Sequence, residues 1–405
     1  MKDSFVLKKL FLLSSFLTIS LFADSELSDI LSKDKNQLLD YQKETSDIQT
    51  AKLEKSWINP IMLQYSKSYS SQFSSTVGTG QFLVSVDQPI FKMGGIWAAM
   101  KYAKALGEAN NLDIELQRRQ LITQGIGILF NLQKSKLQLQ KLDFMIQNDE
   151  LDIQIQKESY DAGLSNRTLY DQALLKRNQD ITSKLEIELS ITKLENDFSL
   201  ISDREPYSIE LPNFGMIDEV RYNEEQLELN RDRLRIEEKE HNRYMTLTKY
   251  LPELSVTGRY INEDLNPLFA RSGGSLKREY YTYGFKVTLP LSINSLRDIE
   301  SSKIEYLNAK IALEEKKKEI ANNFKLVKKR LEIIDKKIEL SEQDAQHYAS
   351  MQSTTQDMES IGDATTFDIQ IVTNSLNIRQ LDQDIYKFDA QLELLSLYSK
   401  VSNAI

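Results

Sequence analysis

The sequence predicts a mainly α-helical chain with a small transmembrane β part. It reads as one helix–strand–strand–helix–helix unit built twice. Three observations predict this. Helix breakers are scarce, with 14 Gly and 7 Pro in 405 residues, less than half of the roughly 12% that average usage supplies. The Pro and Gly that do occur recur about 200 residues apart. Four short segments alternate apolar and polar residues, the period of a half-exposed strand.

The elements follow in order. Lys2, Lys8 and Lys9 precede an apolar run from Leu10 to Phe22 that ends at Ala23. That pattern predicts a signal peptide over 1–23, because a run of 13 residues is too short to span a bilayer as a helix. No later stretch reaches 18 apolar residues, so no transmembrane helix is expected. An exported chain without Cys fits a bacterial envelope, and it excludes disulfides, thiolate metal sites and a Cys nucleophile. The two His, His241 and His347, do not suggest a metal pair. They read as solvated helix residues. A net charge of -9 argues against nucleic acid as a partner.

All seven Pro fall in three windows, Pro60 and Pro89, Pro206 and Pro212, and Pro252 to Pro290, and the stretches 90–205 and 291–405 contain none. Gly163 and Gly362 punctuate these stretches at matching depths, which is the mark of an internal repeat. Residues 24–203 form the first repeat, with strands at about 60–72 and 80–90 and a Gly turn at 163. Residues 204–217 are a linker. Residues 218–405 form the second repeat, with strands at about 252–264 and 279–291 and a Gly turn at 362. Thr168-Leu-Tyr-Asp171 aligns with Thr365-Thr-Phe-Asp368. Measured to these Asp residues, the first turn is expected to be the larger one.

In the second repeat Ile320, Phe324, Val327, Leu331, Ile334 and Ile338 form an a/d seam, which packs only against another helix. The basic run at 325–337 reads as its solvated face. Ile122, Ile126, Leu129, Leu132, Leu139, Leu142, Ile146 and Ile153 form a looser seam in the first repeat. A helix from about 94 to 161 would be on the order of 100 Å long.

The segment 280–289 alternates Tyr281, Tyr283, Phe285 and Val287 with Thr282, Lys286 and Thr288. The first set is expected to face lipid. Lys286, and Arg259 on the preceding strand, are expected to line a water-filled pore. Trp57, Trp97, Tyr250, Tyr260, Phe91 and Phe269 cluster near strand ends, as an aromatic belt does. Four strands cannot close a membrane barrel, so closure requires several copies.

The chain resembles the TolC-like outer membrane efflux family. The resemblance rests on the duplicated unit and on Tyr250-Leu-Pro-Glu-Leu-Ser-Val, Val287-Thr-Leu-Pro-Leu, Pro89-Ile-Phe-Lys-Met-Gly-Gly, Ala162-Gly-Leu164 and Ile361-Gly362 through Asp368. It implies a homotrimer sharing one 12-stranded β-barrel in the cell outer membrane. It also implies a coiled-coil α-barrel extending into the periplasm. Its implied partners are outer membrane lipid, a periplasmic adaptor (membrane fusion protein) and an inner-membrane pump of the RND or ABC type. Such a duct conducts passively, is not an enzyme and needs no cofactor. By the same resemblance Asp368, Ile371 and Asp171 are candidates for a periplasmic gate. Gly163, Leu164, Gly362 and Asp363 are candidates for adaptor docking. Asp368 has a second reading as a helix-end residue. Ala364 stands where the family's best-known members place an Arg. The competing reading is an exported periplasmic coiled-coil structural or adaptor protein.

Overall fold

A computed structural model of the chain describes residues 30–71, 76–264 and 277–401. The segment 1–23 and Phe269 lie outside the described residues. Seven helices and four strands carry the argument. They are α1 (Lys33–Glu54), β1 (Met62–Ser70), β2 (Val77–Phe91), α2 (Gly95–Asp161), α3 (Arg167–Ser199), α4 (Glu219–Glu224), α5 (Leu227–Thr248), β3 (Glu253–Glu263), β4 (Glu279–Thr288), α6 (Ser295–Ser360) and α7 (Thr366–Tyr398). The lengths repeat: α2 has 67 residues and α6 has 66, while α3 and α7 have 33 each. Among the described residues no helix is long and apolar enough to cross a membrane.

The chain divides into two compact units. One comprises Tyr41–Ile114 and Glu228–Lys316 and contains the sheet. The four strands pair antiparallel in the order β1-β2-β3-β4. The central β2–β3 pairing therefore joins the two repeats, and β1 and β4 are edges. β2 continues past Pro89, and the β2–β3 register shifts between Pro89 and Phe91. A Pro has no N–H to give the ladder, so a bulge is the expected accommodation. β4 ends at Thr288, two residues before Pro290.

The other unit comprises the chain up to Asp40, Glu115–Leu227 and the chain from Lys317. The a/d seam of α6 is turned inward: Ile320, Phe324, Val327 and Ile334 are buried, while the basic residues between them are exposed. In α2 burial reaches further round the helix, including Ile122, Ile126, Ile128, Leu129, Phe130 and Leu132. The reason is that α2 has neighbours on two sides. Lys176 and Lys184 of α3 bond Asp149 and Asp143 on it, and Asp382 and Asp389 of α7 bond Lys141 and Lys134. The linker is docked rather than free. The Phe214 ring packs on Tyr398 (centroids 4.8 Å) and Phe130 (6.2 Å), and its N–H donates to Gln391 Oε1 at 2.7 Å. Buried Arg119 donates to the Val401 carbonyl at 2.6 Å, which fixes the chain beyond α7.

The two helix reversals have the same build. Gly163 N–H donates to Tyr160 O and Leu164 N–H to Ser159 O; Gly362 N–H donates to Glu359 O and Asp363 N–H to Met358 O. This is the Schellman arrangement, with the glycine at the left-handed position. Their φ values are 72° and 83°. In each copy the next N-cap follows three residues later, at Asn166 and Thr365. The first turn is therefore not enlarged. Asp171 was the wrong landmark: matched on the caps, the counterpart of Asp368 is Leu169.

A Cβ added at Gly362 or Gly163 meets nothing within 4 Å. Substitution there tests backbone strain alone. Gly362→Ala should destabilise the turn by about 1–2 kcal/mol. Gly215→Ala, equally open but without positive φ, should be near neutral. Thermal unfolding of the detergent-extracted protein measures both, and equal midpoints would show that the left-handed φ is unstrained.

Candidate pore face and helix turns

The strand registers sort side chains onto two faces. Leu254↔Val287, Val256↔Phe285, Gly258↔Tyr283 and Tyr260↔Tyr281 pair across β3–β4. Val84↔Tyr260 and Val86↔Gly258 continue that face onto β2, and Leu63↔Val84 and Tyr65↔Phe82 onto β1. This face is apolar and open: Tyr283 is 90% exposed, Phe285 79% and Tyr281 76%. A tilted contact between Tyr260 and Tyr281 (5.3 Å) and an edge contact between Phe82 and Tyr260 (6.4 Å) tie its rings together. Lys67 is the exception on this face, with its ammonium 5.8 Å from the Tyr69 ring centroid. A long side chain of this kind can reach past an apolar surface to water.

The opposite face carries Thr79, Gln81, Ser85 and Asp87 on β2, Ser255, Thr257 and Arg259 on β3, and Thr282, Lys286 and Thr288 on β4, with the paired Leu83 and Ile261 as its apolar exceptions. Lys286 is not isolated there. It forms an ion pair with Asp87, reaching diagonally across β3 over Ser255, which is 1% exposed. At the far end of β3, Glu263 accepts from Gln81 (2.9 Å) and from the Tyr280 hydroxyl (3.0 Å). The sequence reading named Lys286 and Arg259 but missed Asp87. Its parity on β2 was the available signal.

Asp368 is the third residue of α7 and closes a capping box. Its N–H donates to Thr365 Oγ1, and its Oδ2 accepts from the Thr365 N–H (2.8 Å) and hydroxyl (2.7 Å). These bonds, the backbone one first, hold its carboxyl below the usual Asp range. Ile371 is half-buried one turn further on. Asp171 is exposed and pairs with Arg167 at 3.6 Å, four residues before it. Leu164 (83% exposed) and Ile361 (72%) project at the two turns, and Asp363 is exposed. The structure therefore gives Asp368 and Asp171 different local partners in the two repeats.

Sequence reasoning also missed a carboxylate pair between α2 and α3. Asp149 is 2% exposed and its Oδ1 accepts from Lys176 at 2.5 Å. Oδ2 of Asp149 and Oδ2 of Asp180 are both buried without a hydrogen-bond partner. Burial, and then the adjacent Asp149 carboxylate, push the Asp180 carboxyl above its ordinary value against the pull of Lys176. Among the described residues no group of three His, Asp or Glu could hold a metal ion.

No protein-family profile matches the sequence, and no curated protein matches it either. Solved structures do match, over nearly the whole chain. The outer membrane protein VceC of Vibrio cholerae is similar with a TM-score of 0.72 at 15% identity, over 93% of this chain and 95% of its own. The CmeC outer membrane channel of Campylobacter jejuni has a TM-score of 0.72 at 14% identity, over 93% and 84%. The MtrE outer membrane channel of Neisseria gonorrhoeae has 0.66 at 12%, over 92% and 87%. The fold is that of the TolC-like outer membrane channels.

The Asp149–Asp180 pair has a pH signature. A carboxyl raised in the folded state disfavours folding once it ionises. That penalty is full above its folded pKa and absent below the unfolded value of about 3.9. Asp180→Asn should therefore raise the thermal midpoint slightly at pH 7 and leave it unchanged near pH 3.5. A gain of the same size at both pH values would mean the carboxylates do not interact.

Proposed function

We propose that the chain is the outer membrane exit duct of a tripartite efflux or secretion system. Three copies share a 12-stranded barrel, and their helices extend into the periplasm. A periplasmic adaptor and an inner-membrane pump supply the substrate and the energy, and the duct conducts passively. The observation that carries this reading is the four-stranded sheet, with one aromatic open face, one polar face and two open edges. Water does not stabilise an aromatic face of that size on a four-strand sheet, and lipid does not tolerate open edges. A barrel closed by further copies satisfies both. A periplasmic structural or adaptor protein has no use for such a sheet. The channel fold shared with VceC, CmeC and MtrE supports the same reading.

In this reading Tyr281, Tyr283, Phe285 and Val287 meet lipid, and Arg259 and the Asp87–Lys286 pair line the lumen. The turns at Gly163–Leu164 and Gly362–Asp363 receive the adaptor. Asp368 rings the periplasmic mouth, with Ile371 and Asp171 as neighbouring candidates. The capping box does not conflict with a ring. Both bonds from Thr365 fall on Oδ2, and the cap keeps the carboxylate ionised where three like charges would otherwise favour protonation.

The purified protein in a planar bilayer should conduct, select cations and be blocked by polyvalent cations on the periplasmic side. Asp368→Asn should weaken both selectivity and block. A protein that inserts no channel overturns the duct. Unchanged selectivity and block in Asp368→Asn leave the duct standing and remove Asp368 from its gate.

Phe285→Arg places a charge on the lipid face and should cost roughly 2–4 kcal/mol per strand, so trimer yield in the outer membrane should fall. Lys286→Gln should leave yield near normal, because Asp87 faces water. Equal losses from the two changes would show the faces assigned the wrong way round.

A further inference from the structure

The charges on the polar face of the sheet are matched at every level but one. Toward the helices, the Lys286 ammonium is taken by Asp87. Arg259 stands at the middle of β3, paired in register with Ser85 of β2 and Thr282 of β4. It is exposed and makes no hydrogen bond or ion pair among the described residues. The next pair outward on the same face is apolar, Leu83 with Ile261.

Distance keeps this charge from being cancelled. Glu263, the other carboxylate on this face of β3, lies four residues further out, about 13 Å along the strand. That exceeds the Debye length of ~8 Å at physiological salt, and Glu263 is already engaged by Gln81 and Tyr280. Lys67, the remaining basic residue within the four strands, is on the opposite face. Arg259 is therefore a single uncompensated positive charge at mid-height of the polar face.

Its neighbours suit an oxyanion. A guanidinium presents a planar fork of N–H donors that matches a carboxylate or a phosphate. Residues directly opposite on adjacent strands have Cβ atoms about 5 Å apart, so the Ser85 and Thr282 hydroxyls flank the fork and can donate to the same group. The Leu83–Ile261 pair lowers the local dielectric on one side, which strengthens the attraction. A 12-stranded barrel at the usual strand spacing and a tilt near 40° is about 24 Å across between backbones. Arginine side chains extended inward from three copies then come within roughly a Debye length, ~10 Å, of one another. Their fields add, as charges lining a low-dielectric passage do.

We propose that Arg259, flanked by Ser85 and Thr282, is an oxyanion-binding site within the barrel, occupied in transit by the phosphate or carboxylate group of a solute. This rests on the duct reading above and adds the chemical class of group that the barrel holds. Lys286 is not part of the site, because Asp87 neutralises it.

The test is block of single-channel current by tripolyphosphate, added on the extracellular side of a planar bilayer holding the purified full-length protein. Tripolyphosphate should block the unmodified channel. Arg259→Gln should raise the blocking concentration by about tenfold or more, the size expected for losing a hydrogen-bonded charge. Arg259→Lys keeps the charge but loses the fork, so its rise should be smaller. Asp87→Asn frees the Lys286 charge and should lower the blocking concentration. Lys67→Gln, an equal loss of charge on the opposite face, should leave it unchanged. Channels that tripolyphosphate does not block, or that it blocks equally well in Arg259→Gln, overturn the site and leave the duct standing. Block weakened as much by Lys67→Gln as by Arg259→Gln would make the effect one of overall charge and also overturn the site. A protein that inserts no channel overturns the duct itself.

Discussion

Backbone hydrogen bonding is the constraint on which the rest depends. The β2–β3 pairing brings the hairpins of the two repeats into one sheet, so each interior strand is satisfied on both sides. β1 and β4 are satisfied on one side only. In water an edge strand is a liability that short length or charge can manage. In lipid an unpaired N–H or C=O costs several kcal/mol and recurs at every second residue along the edge. The aromatic face argues against the aqueous option, because Tyr281, Tyr283 and Phe285 on β4 are largely exposed. The barrel proposed above, with β1 of one copy paired to β4 of another, would satisfy both edges.

The helical layer repeats this logic with different chemistry. The central contact again joins the two repeats, here α2 against α7, with α3 bonded to α2 and α6 bonded to α7. What a strand edge lacks is hydrogen bonds, whereas α3 and α6 leave apolar side chains such as Leu185, Leu189 and Leu340 exposed. The central contact is also the polar one: Lys134–Asp389, Lys141–Asp382 and Asn148–Asn374 recur about every two turns between α2 and α7. Paired polar groups in a helical seam tolerate few registers, because a slip leaves buried Asp382 or Asn374 without a partner. They fix the level of one turn against the other.

The fold was legible because its signals are periodic. The a/d spacing from Ile320 to Ile338 and the alternation from Tyr281 to Val287 each point to one face, and the structure turns both as the pattern requires. The looser pattern of α2 was also informative, since a helix with two neighbours needs more than a narrow stripe. What was illegible depended on contacts across long separations. Asp87 and Lys286 are 199 residues apart, and nothing local marks them as partners. Asp149 and Asp180 look like ordinary surface Asp on amphipathic helices until α2 and α3 are brought together. The turn was misjudged for a different reason. Asp is an ambiguous landmark at a helix start, whereas the Schellman glycine and the N-cap are fixed by backbone geometry.

That distinction bears on Asp368 itself. A residue at the third position of a helix with a Thr cap is sufficiently explained by capping. Its counterpart in the first repeat shows what capping alone requires. There Asn166 caps α3 by itself, accepting from the Leu169 N–H at 3.2 Å, and the third position is apolar Leu169. The two turns are otherwise alike in glycine, φ and hydrogen bonds. Helix initiation therefore does not demand a carboxylate at this place, and the second repeat has added one. The first repeat has a carboxylate two residues later, at Asp171, but spends it on Arg167 within its own helix. A carboxylate at the third helical position of only one of two equivalent turns is a charge that helix initiation does not require. Symmetry of the backbone with asymmetry of the charge is the feature that capping does not account for.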